Sequence, residues 1–392
     1  MVGMSRNPTP GFRRRPRVAD RMTAADFDLV RRSLAAERSG DAARALELHS
    51  SVPAFALRSR HHVLLTQLAS LGDQLPEWVW ARWIAYQAVR CEDPGSETGE
   101  IQRLALKYAI ETFHEDQLAD CYTNGGDPVR VGAWVASESW LFHQVLVHEL
   151  GGLERFVDEH ATGRLADHAD LARSWIEAPL SGFLVGPSLP GGRLCVEDLA
   201  ADGWTEVLDL GARSCAGDGG WVLGRLVPSG VGDLPMFDIP PIAVPEHVAR
   251  AVAAARHPWT RIKEALDAGD LAERDFMRAD HELTTDVLSI ELLGIGTAPA
   301  DLERVTAQLR SGRDEIPRAA FRILRRAADE QPDHAEAPHV AAAVLQPGAR
   351  ADARRMLVRE GQDDVWARWA ALVHEPARSL LLGLAEASRA AG

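Results

Sequence analysis

The chain predicts a mainly helical α+β fold, with helical domains flanking a small antiparallel β sheet or barrel. Two observations carry that class. Between Phe183 and Val227 three short runs (193–197, 204–210 and 221–227) are β-patterned and separated by glycine clusters. Nearly everything on either side repeats its apolar residues at helical spacing.

From the N-terminus, residues 1–21 carry six Arg against one Asp and read as a disordered basic tail. No apolar segment follows Arg13, Arg14, Arg15 and Arg17, so the tail lacks the pattern of a secretory signal. Met22 to Asp26 reads as a helix start, which leaves Met1, Met4 and Met22 as alternative initiators. Phe27, Val30, Leu34 and Ala35 set the period of a helix over 26–39. Gly40-Asp41 ends it and caps a second, through Ala42, Ala45, Leu46 and His49. Further helices are expected at 59–71, 77–90, 100–120, 128–150, 153–160 and 166–176, with Pro76 and Pro128 suited to first turns. Residues 22–176 form one expected helical domain.

The β module is expected over 177–245. Trp204, Glu206, Leu208 and Leu210 alternate with Thr205, Val207 and Asp209 at a period of two, and Gly191-Gly192 and Asp202-Gly203 suit hairpin turns. The run 221–227 is apolar on both faces and reads as a central strand. Four or five strands are expected in all. Prolines 235, 240, 241 and 245 stiffen the exit into a helix over 248–256, within a helical connector assigned to 246–298. The remainder, 299–392, reads as a C-terminal helical domain broken near 331–333 and 346–348.

Composition narrows the functions. With 46 % apolar and 26 % charged residues this is an ordinary globular chain. No apolar run approaches the roughly 20 residues that span a bilayer, so no membrane partner is expected. Net charge is −14, or −19 outside the tail, which repels phosphate backbones. Nucleic acid is therefore an expected partner only through the tail arginines. Cys91, Cys121, Cys195 and Cys215 show no C-x-x-C spacing and read as reduced thiols in a cytoplasm.

The helix–Gly-Asp–helix pair near the start resembles a single tetratricopeptide unit, although no second copy follows at about 34 residues. The order of a helical front, a short sheet and further helices resembles uncharacterised actinobacterial proteins. Gly220 to Pro228 is similar to the β segment of some proteins with a C-terminal SEC-C metal motif. No Cys-rich C-terminus is present, so the resemblance implies no metal function and no known activity.

Candidate site residues are few. Val-Trp-Ala-Arg-Trp occurs at 79–83 and again at 365–369, placing Trp80 with Trp83, and Trp366 with Trp369, on single helix faces. Indoles combine large apolar area with an N–H donor, which suits partner anchoring as well as cores. Arg82 lies within cation–π reach of Trp78, whereas Arg368 follows Asp364 at ion-pair spacing. Trp204, Trp221, Asp209 and Arg225 are the module residues best suited to a binding surface. Glu138 lies within the apolar stripe of helix 128–150, where burial would raise its pKa toward general acid–base use. It is instead exposed if 137–139 break the helix. His143 and His148, five apart, point about 140° apart on an α-helix and cannot share a metal. No phosphate loop, zincin helix or nucleophile elbow is present, and no cofactor or metal is expected.

The expected function is a cytoplasmic, non-enzymatic binding or scaffold protein that contacts another protein. The alternative is an enzyme or small-molecule binder using Glu138 with His143 or His148 in a cleft between the front helical domain and the β module. A regulator whose arginine tail contacts nucleic acid is the third.

Overall fold

The computed structural model describes residues 22–55, 60–90, 97–210, 216–217, 219–277, 315–334 and 336–391. The arginine tail, the 294–299 linker, Cys91 and Cys215 lie outside these residues. The class is the expected one, mainly helical α+β with an antiparallel sheet, and eighteen α-helices and seven strands are described.

The front begins with α1 (Ala24–Arg38) and α2 (Ala42–Ser50). Thr23 and Asp26 cap α1 reciprocally, and the Asp41 carboxylate accepts from the Arg44 N–H at 2.9 Å to cap α2. Gly40 turns between them at φ +76°, where its Cβ would lie 2.8 Å from Arg164 Cβ, so only glycine fits. Then come α3 (Arg60–Leu71), α4 (Glu77–Arg90), α5 (Glu97–Phe113), α6 (Glu115–Thr123) and α7 (Pro128–Glu138). The helix expected over 100–120 is broken at His114. The helix expected over 128–150 stops at Glu138 and restarts as α8 (Trp140–Gln144). Short turns α9 (Gly152–Arg155), α10 (Arg164–Asp167) and α11 (Ala169–Arg173) complete the front.

Seven strands follow, rather than four or five: β1 (Ser181–Leu189), β2 (Arg193–Asp198), β3 (Gly203–Leu208), β4 (Trp221–Gly224), β5 (Leu226–Val231), β6 (Leu234–Phe237) and β7 (Ile242–Val244). Their order is β5-β6-β3-β2-β1-β4-β7, antiparallel except for a parallel β3–β6 contact. The run 221–227 is two strands, corrected at Arg225. β4 lies beside β1 and β7, while β5 forms the opposite edge. One residue joins them, so the sheet must curl until that edge approaches β4, giving a half-barrel.

Phe183, Val185, Leu194, Val196, Val207, Val222 and Phe237 fill its concave side. On the convex side, Leu208, Leu223, Met236, Ile242 and Val244 join the core of the helices. α12 (Glu246–Ala253) lies against β1, where a Cβ on Gly182 would stand 2.2 Å from the Ala249 carbonyl oxygen. α13 (Pro258–Ala268) follows. The C-terminal segment comprises α14 (Glu315–Asp329), α15 (Ala337–Leu345), α16 (Pro347–Met356), α17 (Asp363–Ala370) and α18 (Ala377–Ala390). Among the described residues no helix is long and apolar enough to cross a membrane.

Candidate functional site

The break at Ser139 organises the first polar centre. Its hydroxyl accepts from the Phe142 N–H at 3.2 Å, capping α8, and meets His114 Nε2 at 3.2 Å. Beyond Gln144 the helix widens into a π turn over Val145–Glu149, closed by Leu150 N–H donating to the Val145 carbonyl at 2.9 Å. Residues five apart face each other more closely in this wider turn than in an α-helix. His143 and His148 consequently both act on one carboxylate, that of Asp238. Asp238 Oδ2 accepts from Gln144 Nε2 at 2.7 Å and from His148 Nε2 at 3.0 Å. Gln144 Oε1 in turn accepts from Arg225 Nε at 2.7 Å. Arg225 also donates to the Ala178 carbonyl and the Glu149 carboxylate. From the other side Arg82 on α4 donates to the Asp238 and Phe237 carbonyls, both at 2.8 Å.

This centre is closed. The His148 and Asp238 side chains are only 2 % and 3 % exposed. Burial pushes the Asp238 carboxyl upward, yet the His148 hydrogen bond and the charges of His148 and His143 outweigh it, leaving the group below its ordinary range. Asp238 Oδ1 and His148 Nδ1 are buried without a hydrogen-bond partner among the described residues. A buried ionic network of this kind fixes how elements register more than it adds stability. Here it fastens α4 and α8 to the joint between β4, β5 and β6.

An open cavity lies beside it. About 450 Å³ in volume, it is bounded by Trp78 on α4, Leu208 on β3, Leu234 on β6, Pro190-Gly191 in the β1–β2 turn and the 371–378 segment before and into α18. The turn reaches that segment because Gly191 and Gly192 take φ +78° and +68°. Gly191 N–H donates to the Ala371 carbonyl at 2.9 Å, and a Cβ on Gly192 would meet His374 at 2.9 Å. The His374 ring stands edge-on to Trp78 at 5.8 Å between centroids. Its Nδ1 donates to the Glu375 carbonyl at 2.8 Å, and burial holds its pKa below the ordinary value. Arg82 stacks over Trp78 at 5.6 Å, so the residue that grips Asp238 also sets one cavity wall. The sequence-predicted cation–π pair is therefore present.

The two centres distribute the candidate residues unevenly. His143, His148 and Arg225 belong to the closed network, and Arg225 is buried rather than on a binding surface. Glu138, half-buried at the end of α7, lines neither the network nor the cavity. None of Glu138, His143 and His148 lines the cavity beside Trp78. Trp80, Trp83, Trp366 and Trp369 are all core. The repeated pentapeptide has a structural use: Trp83 Nε1 donates to the Glu37 carbonyl at 3.3 Å and Trp369 Nε1 to the Ala327 carbonyl at 2.9 Å. Both acceptors sit in the last turn of a neighbouring helix, where carbonyls lack intrahelical donors. Arg368 donates to the Asp364 backbone carbonyl at 3.3 Å instead of pairing with its carboxylate. Trp221 is half-buried under Arg250 at 4.8 Å, whereas Trp204 is 55 % exposed and overlies Gly186.

Sequence reading missed a third cluster. Glu37 on α1 contacts His61 Nε2 at 3.0 Å and Gln87 Nε2 at 2.9 Å, and Arg90 approaches it at 3.7 Å. Burial pushes Glu37 upward, but Arg90 foremost, then His61 and Gln87, bring it down to about 2. His49 packs against His61 and, chiefly through burial, falls to about 4. Its members come from four helices, so no local spacing announces it. Among the described residues no three His, Cys, Asp or Glu side chains could hold a metal ion. Comparison with protein-family models, with curated proteins and with solved structures finds no match for this chain.

Proposed function

We propose that this protein acts by binding rather than by catalysis, and that its ligand occupies the cavity between Trp78, the β1–β2 turn and the start of α18. The single observation behind this reading is the cavity itself. Its roughly 450 Å³ falls within the size range of small-molecule sites. Apolar walls from Trp78, Leu208 and Leu234 stand beside a few polar side chains, the composition such sites use. The burial of the His148 side chain, 2 % exposed, favours this reading over an enzymatic site built on that histidine. Trp204, exposed on the convex sheet face, would suit a protein partner alongside the ligand.

A saturation-transfer NMR screen of neutral, cationic and anionic aromatic fragments tests the proposal. Hits are expected to compete with one another and to vanish in Leu234→Trp, which fills the cavity. Ala371→Phe, placed at an exposed lining position, provides a second filled variant if the first unfolds. No hits, or hits that survive in a folded filled variant, would contradict it.

A further inference from the structure

The charges around the cavity are not equally committed. Arg193 donates through Nη1 to Glu206 at 2.7 Å and through Nε to the Pro190 carbonyl at 3.0 Å. Glu375 accepts from the Ser379 N–H at 3.1 Å, at the first turn of α18, where a carboxylate is favourably placed. His374 is held neutral by burial, its Nδ1 proton directed at a backbone carbonyl. Arg378 differs from all three. Exposed and part of the cavity lining, its guanidinium makes no ion pair or side-chain hydrogen bond among the described residues. A guanidinium presents paired donors in the geometry of a carboxylate, and charge-assisted pairs of that kind are the strong ones. The same cavity is lined by the indole of Trp78 and the side chains of Leu208 and Leu234, which would cover an apolar body.

We infer that the cavity selects a small monocarboxylic acid with an aromatic or aliphatic body, its carboxylate paired with Arg378 and its body against Trp78 and Leu234. This inference rests on the proposed binding function and specifies its ligand class. Burial agrees with it: among the described lining residues Arg378 is exposed and makes no ion pair, while Trp78 and Leu208 are buried and offer apolar contact. A dicarboxylate or a phosphate ester would carry its second charge either against those apolar side chains or toward Glu375.

Three isosteric probes test it by isothermal titration: hydrocinnamate, hydrocinnamamide and phenylpropylamine. The wild-type chain should bind the acid about tenfold more tightly than the amide, the scale of one charge-assisted pair. The amine should bind more weakly still. In Arg378→Gln the acid should lose that advantage, while the amide binds as before; Arg378→Lys should restore part of it. Because Arg378 is exposed, these variants should fold, and circular dichroism checks that they do. Amide binding equal to acid binding, or an acid preference that survives in Arg378→Gln, would overturn the inference and leave the cavity intact as a site. Binding of none of the three probes would instead count against the binding function on which it rests.

Discussion

Asp238 and His49 illustrate opposite uses of burial. Asp238 stays charged because the His148 hydrogen bond and the charges of His148 and His143 outweigh its burial. Asp238→Ala removes the shared acceptor and leaves Gln144 and His148 buried without it. We expect a loss of about 3–5 kcal/mol in urea unfolding, the cost typical of breaking a buried ionic pair. Asp238→Asn, which keeps an acceptor, should cost less. His49 is held neutral: its folded pKa is about 4 against an ordinary 6.5, with burial as the first cause. As pH falls through 6.5 the unfolded chain takes up a proton that the folded chain refuses, so stability falls with pH until about 4. His114, brought by burial to about 4, acts in the same direction. Glu37, at about 2, adds a loss beginning below its ordinary 4.5. Denaturation at stepped pH should therefore show stability declining below about 6.5, and His49→Phe should flatten the decline by roughly 2 kcal/mol between pH 7 and 4.5. A flat profile in the parent chain would refute that assignment.

At the scale of elements, single contacts decide where helices begin and how closely they dock. Ser139→Ala removes the cap of α8 and a partner of buried His114, and should cost about 1–2 kcal/mol by thermal unfolding. Gly182→Ala places a methyl group against the Ala249 carbonyl and should displace α12 from β1, with a loss of about 2 kcal/mol or more. Gly203→Ala, where the nearest atom is 3.9 Å away, serves as its near-neutral comparison. Much of this level was readable in the sequence. Alternation and the Gly191-Gly192 turn locate β2 and β3, and the Gly40-Asp41 signal locates the α1–α2 hairpin. The break at Arg225 was not readable, since apolar residues continue through it. What splits β4 from β5 is a guanidinium drawn to Gln144, a residue 81 positions away. The π turn at 145–149 escaped for a related reason, because an α-helical wheel separates His143 from His148 and the wider turn does not.

For the whole molecule, the closed network and the open cavity form one device joined through Arg82. That side chain holds β6 by two backbone carbonyls and lies against the ring of Trp78. Such convergence joins segments some 155 residues apart, beyond the reach of any local pattern. Arg82→Met should therefore loosen the Trp78 wall and weaken hydrocinnamate binding several-fold, in addition to destabilising the fold. Whether ligands meet Trp78 inside this cavity, and not the exposed Trp204, can be read from the indole ¹⁵N–¹H NMR signals. Assignment by Trp78→Phe and Trp204→Phe makes the two signals separable during a hydrocinnamate titration. We predict a saturable shift of the Trp78 indole with Trp204 unmoved; a shift at Trp204 with Trp78 silent would contradict the account.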